Sequence, residues 1–99
     1  MPQQTKAIIW HYKGDLYVGN ISLDHKGKIE KSGYGVELIR GRHFYDGYFL
    51  AGKKNGRGKI YYDGGDYYDG QWLEGEIYGF GVYGEVAKDR TYSGFWKKG

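Results

Sequence analysis

Tyr45-Asp46-Gly47-Tyr48-Phe49, followed by Gly52 and then by Gly56-Arg57-Gly58, is the stretch whose reading decides the fold. It recurs without a gap as Tyr68-Asp69-Gly70-Gln71-Trp72, then Gly75, then Gly79-Phe80-Gly81, an offset of 23 residues (45 to 68). Weaker copies flank the pair. Tyr17-Val18-Gly19-Asn20-Ile21 leads to Gly33-Tyr34-Gly35 through a linker five residues longer, and Tyr92-Ser93-Gly94-Phe95-Trp96 is followed by Gly99. Self-similarity at a fixed short period marks a repeat architecture, in which one supersecondary unit is stacked on its neighbours.

Composition agrees with that reading. Of the 99 residues 19 are glycine, 12 tyrosine, 4 phenylalanine and 3 tryptophan, with one proline, at position 2. Collagen needs glycine at every third position and abundant proline, and disorder needs few aromatics, so both are excluded. Glycine and aromatics at this density point to short strands joined by tight turns. Glycine also interrupts every window in which a helix could be placed. The chain contains no cysteine, which removes disulfides and thiolate metal sites. The four-residue apolar run Ala7–Trp10 is too short for a signal peptide or a spanning helix. A net charge of +3 does not announce a nucleic-acid partner, and none is expected.

The pattern Tyr-x-Gly-x-(aromatic or Ile)-x-x-Gly-x-x-x-Gly-x-Gly resembles the MORN repeat (membrane occupation and recognition nexus). The resemblance spans the chain beyond its first dozen residues, with repeat starts near Tyr17, Tyr45, Tyr68 and Tyr92 in one domain, 1–99. Four features depart from the pattern: Ile21 where Trp is typical, Asp24 where Gly is typical, an insertion around Ser22–Lys31, and a last connection, Glu85–Arg90, one residue longer than its counterparts. The resemblance implies an all-β solenoid of tandem hairpins and a role without catalysis. It also implies the settings of similar proteins: cytoskeletal and ciliary assemblies, membrane junctions, and appendages to kinases and methyltransferases.

The spacing has its own physical logic. Alternate residues of a strand share a face, so Tyr68, Gly70 and Trp72 point one way, as do Gly56, Gly58, Ile60 and Tyr62. A glycine between large rings leaves bare backbone on which an aromatic can lie. Turns are expected at Lys13–Asp15, Arg40–Arg42, Asp63–Asp66 and Lys88–Arg90, with the opposite turn at Lys53-Lys54-Asn55-Gly56. Strands are predicted at about 6–12, 16–22, 33–39, 43–50, 57–62, 66–73, 80–86 and 91–97. These make four hairpins in an elongated, twisted antiparallel sheet of about eight strands. With one sheet and no helices, one face is expected to lack cover from within.

Several motifs carry no chemistry in this context. Gly79-Phe80-Gly81-Val82-Tyr83-Gly84 spells a dinucleotide fingerprint, which works only where a helix follows the glycines. Asp63, Asp66 and Asp69 lack the ligand pattern of a calcium loop. His11, His25 and His43 share no ligand-like spacing, and the serines and threonines sit in no nucleophile elbow. No cofactor, metal or catalytic residue is expected.

Two binding readings follow. The first is a cytoplasmic protein-interaction or scaffold module. It holds a partner's helix or extended peptide on an aromatic face bearing Tyr45, Phe49, Tyr68, Trp72, Tyr92 and Trp96, because such rings give large contact area for little lost rotamer entropy. The alternative is a membrane-surface module that binds acidic phospholipid through Lys53, Lys54, Arg57 and Lys59. Self-association through the end strands is a third use of the same architecture.

Overall fold

A computed structural model describes residues 6–97; Gly99, the last glycine of the fourth copy, lies outside them. The strands are β1 (Lys6–Tyr12), β2 (Asp15–Leu23), β3 (Ile29–Ile39), β4 (His43–Leu50), β5 (Lys53–Tyr62), β6 (Tyr67–Leu73), β7 (Glu76–Glu85) and β8 (Arg90–Lys97). They form one open sheet in sequence order, and each neighbouring pair is antiparallel. The molecule measures 47 × 28 × 20 Å.

Three of the connections are two-residue turns, Lys13-Gly14, Ala51-Gly52 and Glu74-Gly75, in which both residues have positive φ. That is the turn whose twist matches the strands it joins. The second of these corrects the expected turn at Lys53–Gly56. The chain reverses at Ala51-Gly52, and Lys53 to Gly56 already belong to β5. Gly56 does have positive φ, at 91°, but as a bulge inside the strand. Tyr48 stands alone opposite Asn55, Gly56 and Arg57, between the pairs Gly47↔Gly58 and Phe49↔Lys54. Gly33 and Gly79 make the same bulge in β3 and β7, which is why those strands begin earlier than predicted. The first glycine of each Gly-x-Gly is therefore a bulge, and Gly56 is not a socket in line with Gly58.

The second glycine is the socket. Gly19, Gly35, Gly47, Gly58, Gly70, Gly81 and Gly94 stand opposite one another in turn, one on each strand from β2 to β8. Across this seam lie the tyrosines that open each copy. Tyr17, Tyr45 and Tyr68 cover the seam glycines of their own strand and the next, so closely that a Cβ at Gly35, Gly58 or Gly81 would overlap the phenol. Each hydroxyl donates to the carbonyl three residues on: Tyr17 to Asn20 at 2.6 Å, Tyr45 to Tyr48 at 2.9 Å, and Tyr68 to Gln71 at 3.1 Å.

The core lies on this inner face and comprises Tyr17, Tyr45, Phe49, Ile60, Tyr68 and Trp72. Its rings meet edge to face. Tyr45 touches Phe49 at 5.1 Å and Trp72 at 5.5 Å, and Tyr68 touches Trp72 at 5.5 Å between centroids. Such pairs each contribute about 0.5–1.5 kcal/mol beyond area burial. Trp72 Nε1 donates to the Gly58 carbonyl at 3.0 Å, and Trp96 Nε1 to that of Gly81 at 2.9 Å. Tyrosines thus lean forward along the stack and tryptophans lean back. The face expected to lie bare is, over its centre, roofed by its own side chains.

Candidate functional site

The inner face divides into two halves of different chemistry, and aligned repeat positions explain the division. The residue two beyond the socket glycine is Glu37 on β3, Ile60 on β5 and Tyr83 on β7. The residue opposite Ile21, Phe49 and Trp72 is Lys31, Lys54 and Ile77 in turn. The first positions of both series are ionic and the last are apolar.

In the ionic half Glu37 is 6% exposed and is held by two lysines and a histidine. Lys31 Nζ binds its Oε2, while His43 Nε2 lies 3.2 Å and Lys54 Nζ 3.7 Å from its Oε1. Burial alone would raise this carboxyl, but the hydrogen bonds from His43 and Lys31 and the charges of Lys31 and Lys54 outweigh it, holding the pKa down at about 2. Burial lowers Lys54, with Lys31 adding to the effect and Glu37 opposing it. The ammonium groups also sit over rings: Lys31 5.5 Å from Tyr17 and 5.7 Å from Phe49, Lys54 5.3 Å from Tyr45. Burial pushes the Tyr17 hydroxyl up to about 12, and the charge of Glu37 adds to the shift. The insertion at Ser22–Lys31 lengthens the β2–β3 hairpin by the pairs Ser22↔Glu30 and Leu23↔Ile29, while Lys31 keeps the place opposite Ile21 that Lys54 takes opposite Phe49.

The apolar half is open. A shallow groove of about 390 Å³ is lined by Tyr62, Trp72, Gly75, Glu76, Ile77, Trp96 and Lys97. Tyr83 flanks it, packed on Trp96 at 6.2 Å and on Tyr62 at 6.3 Å between centroids. Burial raises the hydroxyls of both Tyr62 and Tyr83.

The six aromatic candidates share the inner face, but their accessibility differs sharply. Tyr45 and Tyr68 are 0% exposed, and Phe49 and Trp72 are also buried, so these four serve chiefly as core. Tyr92 and Trp96 remain partly open. Tyr62, Ile77 and Tyr83 frame the groove and are not among the six aromatic candidates, although Tyr62 is read from sequence onto the face of Gly58 and Ile60, and Ile77 and Tyr83 occupy repeat positions that face inward. The four basic candidates do not form one patch. Lys54 points into the inner face, and Lys53 lies exposed at the start of β5. Arg57 is on the outer face beside Asp69 at 3.3 Å, and Lys59, also on the outer face, lies between the rings of Tyr61 (4.8 Å) and Tyr67 (4.7 Å). The Gly79–Gly84 fingerprint lies within β7, followed by a single 3₁₀ turn, Val86–Lys88, rather than by a helix that could receive a phosphate.

Compared with known proteins, the chain matches no family model, and no curated protein matches it closely enough to be called a relative. Among the described residues no helix is long and apolar enough to cross a membrane.

Proposed function

We propose that the chain is a non-catalytic binding module of MORN-like hairpins, and that it holds an apolar segment of a partner protein in the groove between β6 and β8. The observation that carries the proposal is the asymmetry of the inner face. Its ionic half satisfies itself, whereas its apolar half leaves Tyr62, Ile77 and Trp96 half-buried around an open trough. Half-buried aromatic side chains give large contact area and lose little entropy on binding, which favours association over further folding. Glu76 and Lys97 at the rim supply charges of opposite sign that would orient a peptide.

The test is selection from a displayed peptide library containing helical and extended sequences. Peptides rich in Leu, Phe or Trp should be enriched, should bind at micromolar Kd, and should lose at least about tenfold in affinity against Ile77→Lys. Lysine already stands at the aligned positions 31 and 54, so the repeat backbone accommodates it. Leu50→Lys, at an exposed position beside a turn, should leave binding unchanged. Failure to enrich any peptide, or equal binding by wild type and folded Ile77→Lys, would remove this reading.

A further inference from the structure

The two halves of the inner face meet at Trp72. This ring lines the apolar groove and also lies under the Lys54 ammonium, 5.9 Å from its centroid. Lys54 Nζ is 5.3 Å from the Tyr45 ring as well, so aromatic surface replaces much of its water. Its side chain is still 18% exposed. Glu37 Oε1 lies 3.7 Å from it, beyond hydrogen-bond length, and already has His43 at 3.2 Å. Lys31 holds the other oxygen of the same carboxylate. One glutamate therefore serves two lysines, which leaves positive charge in excess beside the groove even with His43 neutral. Glu76 and Lys97, at the groove rim, cancel in net charge.

The repeat fixes where a ligand could supply the missing charge. Lys54 and Ile77 occupy the same repeat position, opposite Phe49 on β4 and Trp72 on β6. They stand on β5 and β7, two strand spacings or about 10 Å apart along the stack. A ligand lying across the strands must present the same side at that interval. An α-helix does so at its seventh residue, nearly two turns and about 10.5 Å on. An extended strand covers the distance in three residues and turns the third one away. Moreover β6 and β7, beneath the groove, are paired on both sides and offer no ladder to an extended segment, whereas a helix satisfies its own backbone.

We propose that the partner segment is an amphipathic α-helix lying across the strands, with an apolar residue against Ile77 and an acidic residue seven positions away paired with Lys54. This inference rests on the binding role of the groove and specifies the ligand. The incoming carboxylate meets a cation that folding has already stripped of much of its water, and it offsets the burial that lowers the lysine's pKa. A half-buried ammonium gains more from such a partner than a solvated surface lysine does.

The probe is a displayed library of alanine-rich helices with a fixed central leucine pair and the rest of that face randomised, run beside a library of extended, proline-containing sequences. Selection on the wild type should enrich Asp or Glu seven residues to one side of the leucines, and the preference should fade in high salt. Isoleucine stands at the aligned position 77, so Lys54→Ile suits the repeat. On that variant the acidic preference should give way to an apolar one, and the peptide selected on wild type should bind about tenfold more weakly. Lys26→Gln, an exposed lysine in the β2–β3 turn, should change neither. The positional enrichment and its salt dependence need no substitution. Apolar helices enriched without an acid at the seventh place, an acidic preference that survives Lys54→Ile, or tighter binding by the extended library would overturn the inference and leave the groove as a binding site. No enrichment from either library would remove both.

Discussion

Gly58 lies in extended backbone, so alanine there is limited by space alone, and the space is taken by the Tyr45 phenol. Gly58→Ala should lower the free energy of urea unfolding by about 2–3 kcal/mol, as overpacked cores do. Tyr45→Phe should cost about 1 kcal/mol for the hydroxyl's bond to the Tyr48 carbonyl, yet should recover part of the loss when combined with Gly58→Ala. A double-mutant cycle reads the coupling, and strict additivity would mean that the hydroxyl is not what fills the socket. Glu37 supplies a pH dependence whose sign is fixed. Its folded pKa, about 2, lies below its ordinary value of 4.5, so the stabilisation is complete above about pH 4.5 and is lost as pH falls toward 2. Wild type should exceed Glu37→Gln by up to about 3 kcal/mol at neutral pH, and the gap should close near pH 2 in urea titrations. The sockets and their tyrosines were legible in the sequence because they repeat. The ionic cluster was not, since Lys31, Glu37, His43 and Lys54 are scattered along the chain and meet only when register is known. The available clues were a glutamate at a position that Ile60 and Tyr83 fill in the other copies, and lysines at 31 and 54 where the third copy has Ile77.

At the scale of the element, hairpin boundaries turn on how a glycine is used. Asn55-Gly56 reads as a turn, because that dipeptide readily supplies positive φ. In β5 the same φ serves a bulge four residues beyond the true reversal, and the Asn55 side chain accepts a hydrogen bond from the Glu74 amide at 3.1 Å. Sequence pattern gives the number and order of strands but does not distinguish these two uses, so the expected starts of β3, β5 and β7 each fall four residues late (33, 57 and 80 against Ile29, Lys53 and Glu76). A Cβ at Gly56 would meet only the Tyr48 Cβ, at an ordinary 3.7 Å, so the cost of substitution is conformational. Gly56→Ala should destabilise by about 1–2 kcal/mol, and Gly56→Asn by less, because asparagine tolerates positive φ. Equal losses for the two variants in thermal or urea unfolding would contradict the bulge as the cause.

For the molecule as a whole, each hairpin touches only its neighbours, and the fully buried rings, Tyr45 and Tyr68, sit near the middle of the stack. Native-state hydrogen exchange should therefore show protection highest in β4 to β7 and falling toward both ends, rather than one cooperative value throughout. The Cα radius of gyration, 14.5 Å, exceeds the roughly 13 Å of a compact chain this size, and solution scattering should report the same extended shape. The seam glycines then acquire a meaning that no single hairpin reveals. Every second step along the row is the same step, with Tyr17, Tyr45 and Tyr68 each closing over the bare backbone of the next strand, so the contact between hairpins does not itself set a stopping number. Each further hairpin adds two strand spacings, about 10 Å, without calling for any new kind of contact. Length in this architecture is therefore quantised: the count of copies sets, in fixed increments, the distance from the first strand of the sheet to the last.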